Sequence, residues 1–297
     1  MSITDLSTQL RRAMKDGYAI GYFEAWDTYS LEAVIEAAEE ASSPAILGFG
    51  GAVANQAWLD RWGVEEMAVL ARRLAEASRV PASVLFNEAR TLDQVKRGLR
   101  AGCTAVMLDT SHLPFEDNAA LTRQVVELAH AAGATVEAEL GHLADATDPG
   151  HAARPTDPDE AARFVARTGV DALAVSVGNV HILSDGEAQV DLEALARIHR
   201  AVPVPLVIHG GTGFPSREVP AAVALGVAKF NVGTRLKQAY LDAARRAIAG
   251  VPDRPNVHRM IGSRDADDIL LPAKAGVKHQ VLALMKLYGS AGKAQEA

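Results

Sequence analysis

The sequence has little cysteine, no excess of positive charge and no long apolar segment. Cys103 is the single cysteine among 297 residues, which excludes an internal disulfide framework and is typical of a protein from a reducing cytosol. With no basic neighbour to activate it, we interpret Cys103 as a small buried residue. The formal net charge is -7, whereas a nucleic-acid partner favours a basic surface.

No apolar run approaches the roughly 20 residues of a membrane helix. The segment from Met1 to Gln9 has no basic stretch followed by an apolar core, so no signal peptide is expected. We therefore expect a cytoplasmic protein with neither a nucleic-acid nor a membrane partner.

Short apolar runs alternate with amphipathic helical stretches along the whole chain. The runs are continuously apolar, as in parallel strands that are buried on both faces. The predicted strands are Ala19–Phe23, Ala45–Phe49, Ala82–Phe86, Ala105–Leu108, Thr135–Leu140, Ala172–Val175, Leu206–His209 and Ala228–Val232. The predicted helices between them are Ser30–Ala41 (with Ser30 as N-cap), Val64–Ala77, Leu92–Ala101, Asn118–Ala131, Pro158–Thr168, Leu192–Ala201, Ser216–Leu225 and Thr234–Ile248.

Eight strand–helix units in about 250 residues predict an α/β fold, a (β/α)8 TIM barrel. The alternative is an open doubly wound sheet, but no Gly-x-Gly-x-x-Gly follows the first strand. We expect one domain over residues 1–297, with a helix in residues 1–16 before the first strand and an extra C-terminal helix at Val277–Leu287.

Polar side chains follow the carboxyl ends of the predicted strands, which meet at the active-site mouth of a barrel. Two histidines and a carboxylate, His181, His209 and Glu88, form a plausible three-ligand metal site. Each also has a structural interpretation. His181 could cap a loop, His209 could be a hydrogen-bonded core histidine, and Glu88 could be a solvated loop charge. The remaining polar residues at these ends are Asn87, Asp109, His112, Glu137, Glu139, His142 and Asn231.

Several of these residues keep more than one interpretation. Asp109 and Glu139 either hold a second cation, orient the histidines or form structural pairs with Lys, Arg or backbone. Glu137 and Glu139 are expected to point to opposite sides of strand five, with one of them facing the helices. His112 and His142 are loop residues for which no role is preferred.

Two glycine-rich turns predict a phosphate site. Gly210 and Gly211 open the helix after strand seven, and Gly233-Thr234 opens the helix after strand eight. Helix N-termini offer N–H donors and a positive dipole end to a phosphate. The residues assigned to substrate or phosphate binding are Gly178, Gly210, Gly211, Thr212, Asn231 and Thr234.

From about Tyr18 to Ile248 the chain resembles the class II, metal-dependent ketose-bisphosphate aldolases of the fructose- and tagatose-bisphosphate type. The motifs that carry the resemblance are Met107–Asn118, Val136–Gly141, the His181 motif, His209–Gly213 and Asn231–Thr234. The resemblance implies a zinc ion that polarises a ketose carbonyl and stabilises an enediolate, with His181 and His209 as ligands. It also implies a second cation near Asp109 and Glu139 in some members, a phosphate at the glycine turns, and a dimer or tetramer.

The chain departs from the family pattern at strand three. The family's His-x-Asp-His is Leu85-Phe86-Asn87-Glu88 here, so Asn87 replaces the general acid/base and Glu88 replaces a zinc ligand. An amide has no usable titrating proton, so Asn87 can only orient a hydroxyl. Ile182 also replaces a glycine of the phosphate cradle.

We therefore expect an aldehyde-lyase that performs reversible aldol cleavage of a phosphorylated ketose or related sugar acid. A divalent metal would lie on Glu88, His181 and His209, with zinc preferred and manganese, iron or cobalt as alternatives. The catalytic residues would be Asn87 and Glu139. Glu139 is one candidate for the proton donor, and a histidine or metal-bound water are the alternatives. The alternative is an inactive aldolase-like sugar-phosphate-binding protein or partner subunit.

Overall fold

The computed structural model describes residues 3–51, 53–148 and 153–294. Eight parallel strands close into a barrel in which each strand lies beside its neighbours in the sequence and the last pairs with the first. The predicted TIM barrel is confirmed, and the open-sheet alternative is wrong. The strands are β1 (Ile20–Ala25), β2 (Ala45–Gly50), β3 (Ala82–Ala89), β4 (Ala105–Leu108), β5 (Thr135–Leu140), β6 (Ala172–Val175), β7 (Leu206–Ile208) and β8 (Val227–Val232).

Helices follow the strands and surround the barrel. They are α1 (Leu6–Asp16), α2 (Thr28–Ala41), α3 (Gln56–Trp58), α4 (Val64–Ala77), α5 (Leu92–Ala101), α6 (Phe115–Ala131), α7 (Pro158–Thr168), α8 (Leu192–Ala201), α9 (Val219–Ala224), α10 (Thr234–Ala249), α11 (Val257–Met260) and α12 (Leu270–Leu287). A π-helical turn, Leu59–Gly63, joins α3 to α4, and a 3₁₀ turn, Ser216–Glu218, precedes α9. Two short segments, Ala144–Asp145 and Val180–His181, pair as a separate parallel ladder.

Helix α2 begins two residues earlier than predicted because Asp27, not Ser30, is its N-cap. The Asp27 carboxylate accepts a hydrogen bond from the Ser30 backbone N–H, and the Ser30 hydroxyl lies 3.0 Å from the Asp27 backbone nitrogen. The two residues thus form a capping box that satisfies N–H groups at the helix start.

The amino end of the barrel is closed by α1. Leu6 and Leu10 of α1 are fully buried in one apolar cluster with residues of the barrel interior, including Ile20 and Val207. Cys103 is also buried, and this burial raises its pKa to about 12, in agreement with its interpretation as a structural residue. With the amino end filled, the carboxyl ends of the strands are left to form a cavity.

None of the helices within the described residues combines the length and the apolar character that crossing a membrane requires.

Candidate active site

A cavity of about 700 Å³ lies at the carboxyl ends of the strands. The predicted convergence of polar strand ends is what the structure shows there. Among the residues assigned from sequence, those that line the cavity are Asn87, Glu88, Asp109, Glu139, His181, His209, Gly210, Thr212, Asn231 and Thr234.

Gly178 and Gly211, also assigned to substrate binding, are not among the lining residues. Gly178 has φ +98° and packs against the Gln189 carbonyl oxygen. The backbone N–H of Gly211 donates to the Asn231 carbonyl oxygen at 2.8 Å. Both glycines shape the loops around the cavity, and their assignment as binding residues stays a prediction.

Glu88, His181 and His209 come together as the sequence predicts. Their candidate ligand atoms all lie within 4.8 Å of one another, and the two imidazole rings have centroids 5.9 Å apart. One carboxylate oxygen and two imidazole nitrogens are a donor set that suits several divalent transition metals.

An irregularity in β3 directs both Asn87 and Glu88 into the cavity. The register between β3 and β4 shifts between Phe86 and Ala89, and Glu88 has φ +53°. In a regular strand adjacent side chains point to opposite faces, whereas such an irregularity re-aims them. The local strain is thus located at one of the candidate metal ligands.

His209 is fully buried and surrounded by carboxylates. Its Nε2 lies 2.9 Å from Glu137 Oε1, and its Nδ1 lies 3.0 Å from Glu139 Oε2 and 3.2 Å from Glu88 Oε1. Neither of the two Nδ1 contacts has hydrogen-bond geometry, so Nδ1 is a buried nitrogen without a hydrogen-bond partner. A cation between Nδ1 and the two carboxylates would satisfy all three, and the residues therefore fit a metal.

The expectation that Glu137 or Glu139 faces the helices is wrong. Both are buried and both contact His209. The physical reason is that strand side chains alternate with a period of two, so residues i and i+2 share one face. Both carboxylates consequently point into the barrel.

Lys229 is a site residue that the sequence interpretation missed. It is fully buried in β8, and its Nζ lies 2.8 Å from Glu137 Oε2 and donates to Asn231 Oδ1 at 2.5 Å. Burial lowers the pKa of Lys229, and the adjacent Glu137 carboxylate opposes that change. A charged residue inside the apolar run Ala228–Val232, two positions before Asn231, was the available signal.

The neighbouring charges explain why the pKa of the Glu88 carboxyl is low. Burial would raise the pKa of its carboxyl, but His209, His181 and Lys229 outweigh this and lower the pKa to about 2. His209 has a pKa well above its usual value: burial lowers it, but the contacts with Glu137, Glu139 and Glu88 prevail. Glu88 therefore presents an ionised carboxylate to any cation that enters.

Asn87 is buried, and its side-chain Oδ1 has no hydrogen-bond partner. A buried amide oxygen without a partner is costly unless a ligand supplies a donor. This suits the predicted role of orienting a substrate hydroxyl. The amide of Asn87 provides no titrating group.

The phosphate site at the glycine turns stays a prediction. Thr212 Oγ1 accepts a hydrogen bond from the Arg235 backbone N–H at 3.2 Å, and Asn231 Nδ2 is buried without a partner. Ile182, in the place of a glycine, lines the cavity with φ +53°. A β-branched residue with positive φ is unusual.

Asp109 is engaged by neighbouring side chains. Its Oδ2 lies 3.1 Å from Arg90 Nη1, and its Oδ1 accepts a hydrogen bond from Ser111 Oγ at 2.8 Å. Pairing with an arginine was one of its predicted alternatives. A second cation between Asp109 and Glu139 remains a prediction. His112 and His142 both line the cavity, and His142 Nδ1 lies 3.5 Å from Ser111 Oγ.

Comparison with known proteins gives a consistent result. The family model described as fructose-bisphosphate aldolase class-II matches residues 4–293. A probable fructose-bisphosphate aldolase of Bacillus subtilis (strain 168) is 33% identical over 99% of this chain and 100% of its own length. The D-tagatose-1,6-bisphosphate aldolase subunit GatY of Klebsiella oxytoca is 35% identical over 99% of this chain and 100% of its own. The crystal structure of the YdjI aldolase from Escherichia coli K12 aligns with a TM-score of 0.82 at 33% identity, covering 99% of this chain and 100% of that one. The chain belongs to the class II fructose-bisphosphate aldolase family.

Proposed function

We propose that this protein is a metal-dependent aldehyde-lyase that cleaves a phosphorylated ketose, or a related sugar acid, by a reversible aldol reaction. The observation that carries the proposal is the convergence of Glu88, His181 and His209 around a buried nitrogen without a hydrogen-bond partner. The family membership and the names of the fructose- and tagatose-bisphosphate relatives support the reaction type.

Each residue has a defined task in this reaction. Glu88, His181 and His209 would hold the divalent metal, which when bound polarises the ketose carbonyl and stabilises the enediolate. Asn87 orients a substrate hydroxyl through its free amide oxygen. Gly210, Thr212, Thr234 and Asn231 would contact the phosphate; all four line the cavity, and Asn231 Nδ2 has no hydrogen-bond partner.

The metal, location and assembly state are part of the proposal. We propose zinc, with manganese, iron or cobalt as alternatives that a His2Glu set accepts. We also propose a cytoplasmic homo-oligomer, dimer or tetramer, built from one domain per chain. Mass spectrometry under native conditions measures the assembly state, and elemental analysis identifies the metal.

The first experiment combines metal analysis with a turnover assay. The purified protein is loaded with each of the four metals and assayed with a panel of ketose phosphates. We expect His181→Ala to abolish stoichiometric metal binding and to lower kcat/KM by at least about 10²-fold, because a ligand is lost. His181 is only partly buried, so this change should preserve the fold.

His258→Ala, on the exposed side of α11, is the matched control and should change neither quantity. Unchanged metal content and cleavage in both His181→Ala and His209→Ala would refute the metal assignment.

Asn87 favours a second candidate, a non-catalytic aldolase-like subunit, because an amide stands where the family's acid/base belongs. That candidate predicts binding of a ketose phosphate without cleavage under every metal condition. Detectable turnover of any ketose phosphate by the metal-loaded protein excludes it.

A further inference from the structure

The proposed aldol cleavage needs a group that takes up a proton from a substrate hydroxyl. The amide of Asn87 cannot do so at any accessible pH. Another group must therefore perform the transfer, either a titratable side chain that lines the cavity or water on the proposed metal, and the inference below rests on the proposed function.

Most of the described carboxylates that line the cavity are committed elsewhere. Glu88 belongs to the metal-ligand set, and Glu139 lies 3.0 Å from the Nδ1 of His209. Asp109 is held by Arg90 and a serine hydroxyl. Asp145 accepts a hydrogen bond from the Thr147 backbone N–H at 2.7 Å.

The remaining carboxylate of the cavity wall is Glu24, near the carboxyl end of β1. Its side chain is 14% exposed, and its Oε2 lies 2.8 Å from Lys237 Nζ. Neither the family motifs nor the sequence interpretation had assigned a role to either residue. Glu24 thus combines burial, access to the cavity and one cationic neighbour, as a tuned acid/base requires.

Two glycines locate the carboxylate of Glu24 within the cavity. A Cβ atom placed on Gly50 would collide with Glu24 Oε1, and one placed on Gly233 would collide with Oε2. Gly50 is the register neighbour of Asn87 in the β2–β3 pairing, whereas Gly233 begins the turn after β8. Glu24 therefore reaches across β2 towards Asn87 and extends to the proposed phosphate turn.

We propose that Glu24 is the catalytic acid/base of this aldolase and exchanges a proton with the substrate hydroxyl that Asn87 orients. In the cleavage direction the Glu24 carboxylate accepts the proton from the hydroxyl on the carbon β to the carbonyl. The O–H electron pair forms the C=O bond of the aldehyde product. The C–C bond breaks, and its electron pair passes into the ketone fragment as an enediolate. Glu24 returns the proton in the synthetic direction, so atoms and charge balance.

The electrostatic surroundings of Glu24 are compatible with this role. Burial raises the pKa of Glu24, and the adjacent Lys237 opposes that rise. Glu88 raises it further, whereas His181 lowers it, and Tyr22 is the neighbouring titratable group on the same face of β1. The net upward direction brings the carboxyl closer to the neutral range in which acid/base catalysts work well.

The decisive variant is the isosteric Glu24→Gln in the metal-loaded full-length protein. We expect kcat to fall by about 10²–10⁴-fold, with metal content and thermal melting unchanged. The acidic limb of the pH profile of kcat/KM should disappear. Glu127→Gln, on the exposed surface of α6, is the matched control and should retain both the rate and the limb.

Two further variants separate catalysis from structure. Lys237→Gln should keep the acidic limb but move it to higher pH, because it removes the cation that lowers the pKa of Glu24. If Lys237→Gln instead erases the limb as Glu24→Gln does, Glu24 acts only through the ion pair. In the Glu24→Gln background, Asn87→Asp should restore at least about 10-fold of the lost rate, since it supplies a carboxyl beside the same hydroxyl.

The outcomes distinguish this inference from the proposed function. Wild-type cleavage together with a fully active Glu24→Gln, or one that retains the acidic limb, overturns the role of Glu24 alone. A wild-type protein that cleaves no ketose phosphate with any metal overturns both.

Discussion

At the scale of single residues, Lys229 is the charge on which the buried part of the site depends. Its Nζ is fully buried against Glu137, which in turn contacts His209 Nε2. A carboxylate that contacts the far nitrogen of a metal-binding histidine fixes its tautomer and ring orientation. Lys229 and Glu137 therefore position His209 so that Nδ1 faces Glu88 and Glu139.

Lys229→Met should lower the free energy of unfolding by about 3–5 kcal/mol, because it leaves the Glu137 carboxylate buried with one partner fewer. Urea denaturation in the presence of a chelator measures this loss without a contribution from bound metal. The double variant Lys229→Met/Glu137→Gln should regain much of the stability, since the unpaired charge is removed.

Arg123→Met provides the control, because Arg123 and its partner Glu127 are 66% and 65% exposed and an exposed ion pair contributes about 1 kcal/mol or less. Equal losses in the two single variants would contradict the special role of the buried pair.

At the scale of secondary-structure elements, α1 fills the amino end of the barrel, opposite the cavity. Leu10 is fully buried with the interior residues Ile20 and Ile46. Leu10→Ala should lower the free energy of unfolding by about 2–5 kcal/mol, through lost burial and the cavity left behind.

Among the described residues of this cluster, Tyr22 alone also lines the cavity, so metal content and KM of the Leu10→Ala protein should stay at wild-type values below its melting temperature. Lys15→Ala, on the exposed side of α1, should melt like the wild type. A loss of metal from folded Leu10→Ala protein would show that the two ends of the barrel are coupled.

The elements were predictable from the period of apolar residues, whereas several boundaries were not. Strand β3 continues to Ala89 because of the irregularity at Asn87 and Glu88, which no apolar pattern indicates. Helix α12 begins at Leu270, seven residues before the predicted start at Val277. Pro272 lies in its first turn, where the missing N–H costs nothing.

At the scale of the whole molecule, the candidate site was predictable to the extent that strand ends converge. A closed barrel brings residues from strands far apart in sequence to one mouth, so Glu88, His181 and His209 could be grouped from topology. Lys229 and Glu24 could not be grouped in this way, because their roles depend on side-chain partners across the barrel.

Ion pairs with α2 help to hold the C-terminal region against the barrel. Glu32 of α2 lies 2.8 Å from Lys274 of α12 and 2.7 Å from Arg264. Burial would raise the pKa of Glu32, but hydrogen bonds from Arg264 and Lys274 outweigh this effect and lower the pKa of Glu32 below the usual value for a glutamate. Because the folded-state pKa is depressed, this stabilisation is present above the unfolded pKa and is lost as the pH falls through the folded pKa.

Glu32→Gln should therefore lower the free energy of unfolding by about 2 kcal/mol at pH 7, the scale of hydrogen bonds to a charged group. The difference from wild type should shrink as the pH falls below about 4.5, because the wild-type carboxyl becomes protonated and then resembles the amide. Urea denaturation between pH 7 and pH 3 follows both effects. Glu40→Gln is the control. Glu40 joins the same two helices through Lys278, but its side chain is 57% exposed. The free energy of unfolding lost in Glu40→Gln should therefore be small at every pH. If Glu32→Gln lowers the free energy of unfolding by the same amount at every pH, the contact between α12 and α2 is stabilised by packing and not by charge.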